Sequence, residues 1–134
     1  MSYTDRDHRL QSPRRITEIF ETGLRAQDAV GLMMGLPSPV APVRMAFAVG
    51  RRHGGAVQRN RIRRLCREAF RQVRAELPGG WDFVLVPHSR AKHSVAGLAV
   101  AIPRLARRVV QQHAITKTST EKAAEGPAGK PADG

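Results

Sequence analysis

The sequence predicts an α+β fold, a two-layer sandwich of helices on a small sheet in the order α-β-β-β-α-β-α. Three observations carry this. Between Ile62 and Leu77 apolar residues recur at gaps of three and four, the period of a helix with one buried face. Residues 44–50 and 81–86 read instead as strands: the first alternates Met45, Phe47 and Val49 with the small Ala46 and Ala48, and the second is the apolar run WDFVLV. Clusters of proline and glycine at 37–42, 54–55 and 78–80 separate these segments.

Taken from the amino end, residues 1–12 are polar and expected to be flexible. Ser12 followed by Pro13 reads as a helix start, with proline tolerated in the first turn. Ile16, Ile19 and Phe20 at helical spacing predict a short helix over 14–22, which Gly23 ends. Residues 24–27 form a candidate strand, and 30–36, VGLMMGL, a second one weakened by Gly31 and Gly35. In the strand over 44–50 the Met/Phe/Val side faces a core, while the alanine side leaves room for something to lie across the sheet. His53-Gly54-Gly55 frees the backbone to turn into the long helix, and Pro78-Gly79-Gly80 stops it. After the strand at 81–86 comes a loop over 87–92. Val95, Leu98, Ile102, Leu105 and Val109 then predict a final helix over 94–112, kinked or split at Pro103. Residues 114–134 contain almost no large apolar side chain and are expected to be disordered. The organisation is therefore a flexible 1–12, one folded domain over 13–113, and a tail over 114–134.

Charge is distributed unevenly. The chain of 134 residues has a formal net charge of +12, yet residues 1–43 and 114–134 each sum to zero. The whole excess lies between Arg44 and Arg108, with 15 basic residues against three acids. Nine arginines fall between Arg51 and Arg74, opposed only by Glu68. At about 100° per residue, Asn60, Arg64, Arg67 and Arg71 form a stripe opposite the apolar set, flanked by Arg63 and Arg74. A solvated helix face normally mixes signs, because like charges at i, i+4 repel. Here only Glu68 interrupts the ridge, by pairing with Arg64 or Arg71. Arginine makes forked contacts with phosphate, so the ridge points to a phosphate-rich partner.

The same composition excludes other classes. No apolar run spans a bilayer, and the basic helix lacks the Trp- and Leu-rich belt of an interfacial anchor, so nucleic acid is favoured over membrane. No charged-then-apolar leader pattern opens the chain, and the expected location is cytoplasmic. The single cysteine, Cys66, lies on the apolar face and reads as a small buried hydrophobe. Beyond residue 43 and before the tail, the acids are only Glu68, Glu76 and Asp82, too few and too scattered for paired-carboxylate chemistry. His88 and His93 flank one loop but lack cysteine or acid partners for a metal site. The protein alone does not read as an enzyme.

Residues 56–71, AVQRNRIRRLCREAFR, closely resemble the signature of the bacterial ribonuclease P protein subunit. The Arg-Asn-Arg core is Arg59, Asn60 and Arg61, and the trailing Arg-Glu-x-Phe-Arg is Arg67, Glu68, Phe70 and Arg71. Upstream, Arg51-Arg52-His53-Gly54-Gly55-Ala56-Val57 matches the family's basic pair and Gly-x-Ala-Val; downstream, WDFVLV matches its Asp-led strand. Ile19-Phe20 followed by Gly23 matches the first-helix pattern, so the resemblance covers about residues 8–112 in order. The chain departs from the pattern at Ile16, where an aromatic is usual, and at Met33 and Met34 in place of an aromatic in the second strand. It departs again at His53 for a β-branched residue and Gly50 for a serine.

The resemblance implies a small mixed sheet with a left-handed crossover through the arginine helix. It also implies a subunit that joins a large catalytic RNA and assists removal of the 5′ leader of precursor tRNA, with the RNA and its Mg2+ performing the cleavage. On this basis the catalytic RNA and precursor tRNA are the expected partners, no metal is expected to be held by the protein alone, and DNA is not expected. The residues expected to contact the RNA subunit are Arg51, Arg52, Arg59, Asn60, Arg61, Arg63, Arg64, Arg67 and Arg71. Arg14, Arg15, Ile16 and Phe20 are expected along a leader cleft over Ala46 and Ala48, with Phe20 equally readable as a core residue. The alternative is a structural RNA-binding protein of ribosome or ribonucleoprotein assembly. A helix-turn-helix DNA reader is least favoured, because no second helix sits a short turn before the arginine helix.

Overall fold

The computed structural model describes residues 3–125, the side chains of 116–125 excepted. The elements are α1 (Pro13–Thr22), β1 (Leu24–Gln27), β2 (Gly31–Pro37), β3 (Arg44–Phe47), α2 (Ala56–Val73), β4 (Trp81–Pro87) and α3 (Val95–Glu125). Short 3-10 turns at Arg6–His8, Arg51–His53 and Arg74–Glu76 lie before α1, before α2 and directly after α2. The expected order is met element for element.

The four strands form one mixed sheet in the order β1-β2-β4-β3. β2 pairs antiparallel with both β1 and β4, while β3 and β4 are parallel neighbours joined through α2. The alternation read in β3 sorts its two faces as expected. Met45 and Val49 enter the larger core with Phe47 packed against it, and Ala46 and Ala48 lie on the other face. The glycines that weakened the β2 prediction sit where the strand is most crowded. A Cβ at Gly35 would lie 2.7 Å from the Phe83 ring, and one at Gly31 would lie 2.7 Å from the Val86 carbonyl.

α2 and α3 pack together on one face of the sheet. Ile62, Cys66, Ala69, Phe70 and Val73 of α2 join Leu98, Ile102, Leu105 and Val109 of α3 over Met33, Phe83 and Leu85. Burying the Val, Leu, Ile, Phe and Met side chains among these stabilises the fold by about 1.5–3 kcal/mol each. α1 covers part of the opposite face, where Ile19 meets Met34 and Val84. Ser12 caps it, its Oγ accepting from the Arg15 N–H at 3.2 Å. Gly23 follows as the C-cap in an extended conformation; a Cβ there would approach the Ile19 carbonyl to 2.5 Å.

Three expectations are corrected. The segment 3–12 is seated, not free: Leu10 is buried and its N–H donates to the Met45 carbonyl, and Arg9 bridges Met45 in parallel. β3 is an edge strand, and this backbone pairing satisfies groups that a polar composition could not reveal. Pro103 does not split the last helix, which is continuous through it with Pro103 buried. The same helix extends through residue 125, into the segment expected to be disordered. Ala114, Ala123, Ala124 and the Lys and Glu residues there are good helix formers, and extending a formed helix avoids the cost of nucleation. Residues 126–134 of that expectation lie outside the described residues.

Candidate nucleic-acid interface

The arginine helix presents its charge as the spacing requires. Asn60, Arg61, Arg64, Arg67 and Arg71 are exposed, Arg63 and Arg74 are half-buried at the flanks, and Ile62, Cys66, Ala69, Phe70 and Val73 are buried behind them. Burial of Cys66 pushes its thiol pKa up to about 12, which keeps it a neutral hydrophobe.

The chain's own carboxylates reach only part of the ridge. Glu68 takes two bonds from Arg71, at 2.6 and 3.2 Å, and Asp5 pairs with Arg74 at 2.6 Å. Arg63 is turned inward, its Nη2 donating to the Val49 carbonyl at 3.0 Å and its Nη1 to Asn60 Oδ1 at 3.3 Å. Among the described residues, no ion pair engages Arg51, Arg52, Arg59, Arg61, Arg64 or Arg67. The Nε of Arg59 is shielded and has no acceptor within the described residues. Glu68 therefore neutralises the carboxyl end of the stripe, and the uncompensated charge is concentrated toward its amino end.

The turn Arg51–His53 extends that charge past the start of α2, with Arg51 and Arg52 exposed and His53 buried. Beside it lies the other face of the sheet. α1 packs on β2 and β4, leaving Ala46 of β3 and Ala48 just after it half-buried on the same face. On α1, Arg14 is exposed and Phe20 is 39% exposed, so Phe20 is not a core residue. Ile16 is half-buried against the cluster of Leu10, Ile19, Met34 and Val84.

Arg15 is held within the fold. Its Nε donates to Asp82 at 2.9 Å, its Nη1 to Glu18 at 2.9 Å and its Nη2 to the Pro37 carbonyl at 2.8 Å. A guanidinium with three internal acceptors has little left for a ligand, so Arg15 secures α1 to the sheet. Asp82 lies 67 residues away, and no local pattern could have paired the two.

Two hollows border the ridge. One of about 520 Å3 lies between the amino-terminal segment, β3 and α2, with Leu10, Phe47 and Phe70 among its apolar lining and Arg64 and Arg67 on its wall. The second, about 430 Å3, sets Gln58 and Arg61 of α2 against Ser89, Lys92 and His93. Sequence reasoning treated 87–92 as a plain loop and missed its proximity to α2. The loop is held by His88, whose Nε2 donates to the Asp28 carbonyl at 2.9 Å, and by His93, whose Nε2 donates to the His88 carbonyl at 2.8 Å. No three metal-ligating side chains come together among the described residues, and no described helix is long and apolar enough to cross a membrane.

A family model described as Ribonuclease P matches residues 4–113. A ribonuclease P protein component from Roseiflexus castenholzii is 38% identical over 117 residues, covering 84% of this chain and 95% of that protein. One from Petrotoga mobilis is 33% identical over 90 residues, covering 67% and 76%. Among solved structures, the RNase P protein from Thermotoga maritima superposes with a TM-score of 0.66 at 26% identity, covering 75% of this chain and 96% of that one. The Staphylococcus aureus protein, at 18% identity and a TM-score of 0.62, shares the fold.

Proposed function

Because the chain belongs to the ribonuclease P protein family, we propose that it binds a catalytic RNA subunit and the 5′ leader of precursor tRNA, and so assists endonucleolytic release of the mature tRNA 5′ end. The observation that supports this best is the group Arg51, Arg52, Arg61, Arg64 and Arg67, exposed on α2 and the turn before it and outside every ion pair among the described residues. Like charges at neighbouring positions on one helix repel one another, and a phosphate backbone relieves that repulsion while setting register rather than reading sequence. Arg14 and the exposed Phe20 on α1, which packs on the sheet face that carries Ala46 and Ala48, would take single-stranded leader by charge and stacking.

The protein supplies binding and not bond cleavage. Five of its described acids are held in ion pairs: Asp82 by Arg15 and Arg44, Glu68 by Arg71, Asp28 by Arg104, Asp5 by Arg74 and Glu18 by Arg15. In this reading Mg2+ enters through the RNA. A cytoplasmic location is part of the same reading.

The test is reconstitution. The full chain is mixed with the ribonuclease P RNA of the same genome and precursor tRNA at low Mg2+. Faster leader removal than with the RNA alone is expected. Tight binding to that RNA with no gain in cleavage would favour a structural RNA-binding role instead.

A further inference from the structure

His53 is buried, 8% exposed, yet both its ring nitrogens are engaged. Nδ1 accepts from the Gly50 N–H at 3.1 Å and therefore carries no proton. Nε2 carries it instead and donates to the Pro87 carbonyl at 2.6 Å. The first bond closes the 3-10 turn holding Arg51 and Arg52 from inside; the second ties that turn to the last residue of β4. Arg63 adds a tie from α2, through its bond to the Val49 carbonyl just before Gly50.

Within the turn the His53 N–H donates to the Gly50 carbonyl at 2.9 Å and the Gly54 N–H to the Arg51 carbonyl at 3.1 Å, which close the turn but do not fix it to the sheet. Gly50 precedes it and Gly54 and Gly55 follow, Gly54 at φ 113°. Glycine-flanked backbone samples many conformations unless something external selects one. The two arginines on this turn make no ion pair with the described carboxylates, so nothing at their outer ends orients them.

We propose that His53 is a positioning residue for the Arg51–Arg52 pair: in its neutral Nε2–H form it joins their turn to β4 and so presents both guanidinium groups to RNA phosphates in one orientation. This rests on Arg51 and Arg52 being RNA contacts, and the experiment separates the two claims.

Affinity of the full chain for the labelled ribonuclease P RNA of the same genome is measured across a salt series. The proteins are the parent, R51A/R52A, His53→Asn, and the triple variant combining them. Asparagine keeps an acceptor for Gly50 and loses the link to β4. His53→Asn should weaken binding about tenfold and make the salt slope shallower by about one, as when phosphate-binding groups lose their geometry. It should add less than about twofold in the R51A/R52A background, because residues acting as a unit are not additive. His53→Gln, which keeps a donor for Pro87, should recover most of the loss. In the parent, the 15N spectrum of His53 should show an unprotonated Nδ1.

Parent-like binding by His53→Asn overturns the proposal. So does an equal loss in the R51A/R52A background, or an Nδ1–H tautomer. Loss of the folded circular-dichroism spectrum in both the Asn and Gln variants overturns it as well, since the ring would then hold the fold and not the arginine pair. Parent-like binding by R51A/R52A would sink the reading of those arginines, and this inference with it.

Discussion

Arg15 Nε donates to Asp82 Oδ2 at 2.9 Å, and this bond anchors α1 to the start of β4. Arg44 of β3 donates to the same carboxylate twice, at 2.8 and 2.7 Å. The Asp82 side chain is wholly buried, while Arg15 and Arg44 retain side-chain exposures of 20% and 25%. Three elements thus meet at one carboxylate. Removing one partner of a buried pair costs far more than the pair contributes over an apolar replacement, because the other charge is left uncompensated. Asp82→Ala should lower unfolding stability by about 3 kcal/mol, read by chemical denaturation. Arg15→Ala should lose stability too, and its effect on precursor tRNA should disappear once the fraction folded is matched; a selective loss of leader binding would restore Arg15 to the leader cleft.

The same carboxylate sets an acid limit. Burial pushes the Asp82 pKa up, but hydrogen bonds from Arg44 and then Arg15 outweigh it and hold the group below its ordinary 3.8. A depressed folded-state pKa gives stability that is complete above the unfolded value and is lost as pH falls below it, through the folded value. Stability should therefore decline below about pH 4, and Asp82→Asn should flatten that part of the profile. An unchanged acid limb in the variant would assign it to other groups.

Arg61, Arg64 and Arg67 are exposed and outside every ion pair among the described residues, so their replacement by alanine should leave stability within about 0.5 kcal/mol. RNA affinity should fall steeply, and the logarithmic salt slope should shrink by about 0.7–0.9 for each phosphate no longer neutralised. Arg71→Ala should change the slope less, since Glu68 already holds that guanidinium at 2.6 Å.

Phe20 is exposed on α1, so Phe20→Ala should spare both the fold and assembly with the RNA subunit. It should weaken precursor tRNA binding relative to mature tRNA. An equal loss for both would mean that the ring does not meet the leader.

Cys66 is buried and its thiol is pushed up to about 12, so almost no thiolate exists at neutral pH. Native protein should resist alkylation at pH 8 and react only at the rate of unfolding. Rapid labelling would contradict the packing of α2.

How much of this was legible follows from how far each signal reaches along the chain. The α2 stripe was readable residue by residue, because burial of Ile62, Cys66, Ala69, Phe70 and Val73 repeats every three or four positions. The opposite faces of β3 were readable by alternation at two. The end of the last helix was not. Composition describes how well a segment buries itself, and residues 114–125 instead continue a helix whose apolar stripe is already packed. The internal partners of Arg15 were not legible for a related reason: a basic residue beside an apolar strip looks free until its partner on another element is known.

By itself, the sequence determined the order of elements, the buried side of each, and the helix that carries the charge, since periodicity is written within a single turn or pleat. The tertiary structure decided which of those charges remain available. Asp82 meets Arg15, Asp5 meets Arg74, and His53 meets Pro87 only after the strands adopt the order β1-β2-β4-β3. The physical reason is that neutralising a guanidinium takes an acceptor within a few ångströms, and that distance is set by packing between elements remote in the chain.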